Sequence, residues 1–90
     1  MEEEILAKYL LTMPMPDISR KWAQEYARTE EWDQAIIAAV SCFLKQGAYF
    51  PKVVLKYLDF EYFDDKDYAR IRELATEDFD YEAHLDLLER

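Results

Sequence analysis

A chain of ninety residues with one glycine, three prolines and no asparagine has few places to turn tightly. Hairpins depend on residues that tolerate a left-handed backbone or preset a turn, and an all-β domain needs many of them. Helices use such residues only at their ends. The scarcity therefore points to an all-α fold. The expected architecture is a single domain, residues 1–90, forming a compact bundle of about five to six short helices.

Helix signals divide the chain accordingly. The first helix is expected from Glu2 to about Thr12, with Ile5, Leu6, Tyr9, Leu10 and Met13 on one stripe and glutamates at the positive end of its dipole. "MPMPD" then stops it, because proline breaks the hydrogen-bond ladder. A second helix, capped by Asp17, should run to about Arg28, with Ile18, Trp22 and Tyr26 on one face. A third is expected from Glu30 to Gln46, capped by Thr29. Its run "AIIAAVSCFL" is apolar nearly all round, which marks the central, most buried helix, and Gly47 stands where a left-handed C-cap belongs.

Pro51 suits the first turn of a fourth helix that would carry Val54, Leu55, Leu58 and Tyr62 inward. Asp64 or Asp65 would cap a fifth, burying Tyr68, Ile71, Leu74 and Ala75, and Asp78 or Asp80 a last one, with Tyr81, Leu85 and Leu88 inward. "YARTEEWDQAI" resembles the turn of a tetratricopeptide helical hairpin through Tyr26, Trp32, Ala35 and Ile36, without that family's turn glycine and without a second copy. The resemblance implies an antiparallel pairing of the second and third helices.

Charge separates the two parts of the chain. Residues 1–58 hold eight acids against seven bases, whereas residues 59–90 hold twelve against four, so most of the net −9 lies in the last third. Nucleic acid and anionic lipid share that sign and are poor partners, while a basic protein surface is a natural one. The longest nearly apolar run is far short of the roughly 20 residues that cross a bilayer. "MEEEILAKYLL" has acids where a secretory signal carries bases, and one cysteine forms no internal disulfide. A cytoplasmic location is expected.

Within "YLDFEYFDDKDY", residues 57–68, five aromatic rings are interspersed with five carboxylates. As a strand, Leu58, Phe60 and Tyr62 would share one side, but no other segment offers a convincing partner strand. As a helix, Val54, Leu58 and Tyr62 face the core, and Phe60 and Phe63 project beside Lys56, Asp59 and Asp64. Rings on two sides exceed what one core contact covers. Either the fifth and sixth helices fold back over Phe60 and Phe63, making them core residues with the acids as a solvated rim, or the rings stay partly exposed among acids and suit an interaction patch.

Catalytic chemistry is poorly provided for. Cys42 sits mid-run in the most apolar helix, where a thiol is inert packing, and His84 is expected to be solvated near a helix end. One glycine cannot form a phosphate-binding loop. "DFDYEAHLDLLE", residues 78–89, resembles an EF-hand calcium loop in placing Asp78, Asp80, Glu82, Asp86 and Glu89 at positions 1, 3, 5, 9 and 12. It departs from that pattern in Ala83 at the glycine position, in the bulk of Glu82 and in lacking an exit helix. An N-capped acidic helix accounts for the same residues. No enzyme activity, metal or cofactor is expected.

The expected function is a small acidic protein-binding module, an inhibitor that covers the basic, nucleic-acid-binding surface of a partner. Bacteriocin immunity proteins and phage-made antagonists of host nucleases are similar in size and charge alone. Phe60, Phe63 and Tyr68 would anchor the contact, with Asp59, Glu61, Asp64, Asp65 and Asp67 steering it. The alternative is a structural or adaptor subunit that packs through apolar helix faces into a homo- or hetero-oligomer, using Tyr9, Tyr49 and Phe50.

Overall fold

Three helices from the first half of the chain provide the frame on which the rest is laid. The computed structural model describes residues 2–58 and 62–89. Helix α1 spans Glu2–Thr12, α2 Asp17–Arg28 and α3 Trp32–Gln46. Next come a short strand β1, Phe50–Pro51, a 3₁₀-helix, Lys52–Lys56, helix α4, Asp65–Leu74, strand β2, Ala75–Glu77, and a C-terminal 3₁₀-helix, Glu82–Glu89. The architecture is a small all-α bundle with very little strand.

Helix α1 opens on Glu2, Glu3 and Glu4 but has no base of its own in its last turn. Arg20, from α2, supplies the missing charge: its guanidinium donates to the carbonyls of Leu11 and Met13, the latter at 3.1 Å. That contact satisfies C-terminal carbonyls that no intrahelical donor reaches. Gln46 likewise donates to the Pro14 carbonyl at 3.2 Å, so both neighbouring helices hold the α1–α2 connection.

At the start of α2 the cap residue is Pro16, and Asp17 is the first helical residue with no capping bond from its side chain. The α2–α3 turn also departs from expectation. Thr29 closes α2 instead of opening α3, because its hydroxyl is turned back to the Tyr26 carbonyl at 3.1 Å. Glu30 then takes a left-handed backbone, φ 61°, and α3 starts only at Trp32. A tight reversal needs such a residue, and with no glycine available a glutamate bears a cost of about 1–2 kcal/mol.

Helix α3 is the central element, burying Ala35, Ile36, Ile37, Ala39, Val40, Cys42 and Phe43. Gly47 ends it at φ 68°, and the carbonyl of Phe43 accepts the cap N–H. Around α3 gather Leu6 and Leu10 of α1, Phe50, Val54 and Ile71, all fully buried. Each such side chain contributes about 1.5–3 kcal/mol by leaving water. No polar or charged residue is buried among the described residues.

The second half differs more from the sequence expectation. Instead of starting an α-helix, Pro51 pairs with Phe50 as a strand parallel to β2, in the register Phe50 to Ala75 and Pro51 to Glu77 with an irregularity between them. After Pro51 the chain forms one short 3₁₀ piece holding Val53 and Val54, β-branched residues with weak helical preference. Val54 and Leu58 turn inward, but Leu55 and Tyr62, expected inside, are 41% and 59% exposed. Helix α4 matches its expectation, with Tyr68, Ile71, Leu74 and the following Ala75 buried. The last segment is 3₁₀ with a kink at His84, so the inward face repeats every three residues. Leu87 is buried while Leu85, expected inside on an α-helical period, is 51% exposed.

Candidate functional site

The acids at the start of α4 are placed by local chemistry. Asp64 is the N-cap, and its carboxylate accepts the Asp67 N–H at 2.8 Å. Asp65 and Asp67 fill the first turn, where the positive end of the helix dipole favours negative charge. Asp64 and Asp65 are exposed and Asp67 half-buried. All three face solvent to some degree and also support the helix on which they sit.

Phe63 and Tyr68 do not face outward as their assignment to a partner contact required. Phe63 is 7% exposed and Tyr68 8%, and both belong to the core cluster. Phe63 meets Tyr68 edge-on at 5.8 Å between centroids and Tyr62 edge-on at 4.9 Å. Tyr62 is thus the ring presented outward, backed by a buried one. Between this pair and α3 lies a shallow depression of about 330 Å³, lined by Ser41, Leu44, Lys45, Tyr62, Phe63 and Asp67. Asp59, Phe60 and Glu61, also expected to face a partner, lie outside the described residues.

The remaining acids do not form one patch. The C-terminal third wraps the N-terminal frame, with α4 against α3, β2 against β1 and the first 3₁₀-helix, and the last 3₁₀-helix against α1. Carboxylates trace that path. Asp78 pairs with Lys52 at 3.0 Å and Glu73 with Arg70 at 3.0 Å, both exposed and each worth about 1 kcal/mol at most. Among the described residues no three His, Cys, Asp or Glu side chains converge on a common point. In the stretch similar to a calcium loop, Asp80 uses its carboxylate to accept the Glu82 N–H at 3.0 Å, and Glu82–Glu89 is coiled as a 3₁₀-helix.

His84 is not the solvated side chain anticipated. It stacks on Phe79, 4.8 Å between centroids and 21° between planes, stands edge-on to Tyr9 at 4.8 Å, and its Nδ1 lies 2.9 Å from the Asp80 carbonyl oxygen. Tyr9, Phe79, Tyr81 and His84 form the aromatic contact that fastens the C-terminal segment to α1. The Tyr81 hydroxyl is withdrawn from solvent without a hydrogen-bond partner of ordinary geometry. That loss of solvation, and then the neighbouring Tyr57 hydroxyl, push its ionisation well above the usual tyrosine range. Cys42 is buried in α3 as expected.

The outer side of α2 carries an apolar pair that the sequence did not place there. Ile18 and Trp22 are 69% and 63% exposed on it, with Lys21 and Glu25 beside them. Their four-residue spacing was visible in the sequence, but their outward direction was not. Of the three rings assigned to an adaptor surface, Phe50 is fully buried, Tyr9 is held in the aromatic contact, and Tyr49 is 60% exposed.

Comparison of the chain with protein-family models, with curated proteins and with solved structures finds no match in any of the three. No helix among the described residues is long and apolar enough to cross a membrane.

Proposed function

We propose that this is a small protein-binding module whose C-terminal third engages a basic surface on a partner protein, covering a site that would otherwise hold nucleic acid. One observation carries the reading. Residues 59–90 hold twelve acids against four bases, and no charged side chain among the described residues is buried. Like charges crowded on one segment destabilise the compact state, and such a field favours encounter with a cationic surface. Asp65 and Asp67 at the head of α4 steer the encounter, with exposed Tyr62 as the anchor that Phe63 and Tyr68, now core residues, do not provide. Its amphipathic ring suits that role.

The test is capture of the partner across a salt series. From about 50 mM to about 500 mM salt the screening length falls from roughly 14 Å to roughly 4 Å, and capture should fall with it. Asp65→Lys with Asp67→Lys should abolish capture at low salt while the circular dichroism stays helical. Asp64 is left in place because it caps the helix. Added polyanion should displace the captured partner. Capture that ignores salt and survives the charge reversal refutes the proposal.

A further inference from the structure

We infer that the outer face of α2 is a self-association site, where a second copy of this chain docks antiparallel across a two-fold axis. Helix α2 packs inward through Ala23, which is fully buried, with Tyr26 and Ala27 partly covered beside it. At 100° per residue, Ile18, Lys21, Trp22 and Glu25 project from the opposite side, and they line an open hollow of about 480 Å³. A tryptophan and an isoleucine adjacent on one exposed face, rimmed by charge, have the composition of an interface centre.

The charge pattern selects the occupant. Unlike residues 59–90, with twelve acids against four bases, α2 is mixed in sign: it holds two acids, Asp17 and Glu25, and three bases, Arg20, Lys21 and Arg28. A two-fold contact places the same surface on both sides, so it needs both signs within reach of each other. An antiparallel pair centred between Lys21 and Trp22 meets that condition. Ile18 of each copy then lies within one helical turn of the other's Trp22, and Lys21 within one turn of the other's Glu25. Lys21 makes no ion pair among the described residues, and Glu25, held at 2.6 Å by Arg28, retains an exposed carboxylate. The main packing partners of α2 are α1 and α3, and α2 itself contains no residue of the acidic segment 59–90.

A face of one 12-residue helix is about 18 Å long, which makes a contact smaller than a standard stable interface. The dimer is accordingly weak, forming between about 10 µM and about 1 mM. Sedimentation equilibrium of the full chain should show the average mass rising from 10.8 kDa toward twice that value over this range. The rise should be no weaker at high salt than at low, because salt screens the repulsion between two acidic chains. That sign is opposite to partner capture by the acidic segment, so the two readings fail separately.

Trp22→Ala should remain monomeric throughout with unchanged circular dichroism, since the side chain is outside the core. Lys21→Glu and Glu25→Lys should each move the transition to higher concentration, and the double variant should recover it. A chain that stays monomeric at the top of the range overturns the inference. So do association untouched by Trp22→Ala, growth beyond the dimer, or failure of the double variant to recover.

Discussion

Replacing Phe63 with alanine distinguishes a core ring from a partner-facing one. With 7% of its surface exposed and rings on two sides, Phe63 falls in the class whose truncation costs about 3–5 kcal/mol. The lower end applies here, because the depression lined by Ser41, Lys45 and Asp67 would open the new void to water. About 3 kcal/mol is a large part of the roughly 5–14 kcal/mol expected for a domain of this length. At about 4–8 °C per kcal/mol it corresponds to a fall of roughly 12–24 °C in melting temperature. Urea and thermal unfolding followed by circular dichroism measure both quantities. Tyr62→Ala, removing a mostly exposed ring next to it, should cost less than about 1 kcal/mol. If Phe63→Ala unfolds within about 1 kcal/mol of the parent chain, the packing argument for this end of α4 is wrong.

Three further outcomes concern single positions. Asp64→Ala should cost about 1 kcal/mol in a urea titration through loss of the cap to the Asp67 N–H, whereas Asp64→Asn should be nearly neutral. Gly47→Ala should cost about 1–2 kcal/mol in the same assay, since φ is 68° and the added Cβ would also stand 3.2 Å from an Arg70 nitrogen; Gly47→Asn should cost less. Tyr81→Phe should be at least as stable as the parent near neutrality, because it deletes a desolvated hydroxyl that has no hydrogen-bond partner of ordinary geometry. The tyrosine prefers its neutral form when folded, so its contribution is intact below the unfolded pKa of about 10 and is lost as pH rises above it. The advantage of Tyr81→Phe in urea midpoint should therefore widen between about pH 8 and pH 11; a constant difference would contradict the assignment.

How much of the fold was legible depends on how far along the chain each signal reaches. The end of α1 just before Pro14, the stop at Gly47 and the inward face of α4 rest on interactions within about one helical turn, so composition and spacing declared them, and they narrowed the α4 cap to Asp64 or Asp65, of which the structure uses Asp64. The even apolarity of "AIIAAVSCFL" placed α3 at the centre because no polar stripe was left to face water. The charge partition between residues 1–58 and 59–90 is likewise a property of the sequence itself.

Tertiary contacts decided the rest. Helix α2 turned Ala23 and Ala27 toward the bundle, small side chains that allow close approach, and thereby left Ile18 and Trp22 outside. Periodicity had grouped Ile18 and Trp22 on a face without saying which neighbour would claim the opposite one. Strand β1 exists only because β2, some 25 residues later, is brought alongside it, and two or three residues carry no period to announce a strand. In the same way α3 and α4 enclosed Phe63 and Tyr68 and left Tyr62 exposed, although all three rings look alike in the sequence. Residue type sets what a side chain gains by leaving water, but which side chains leave depends on surfaces contributed by residues far away along the chain.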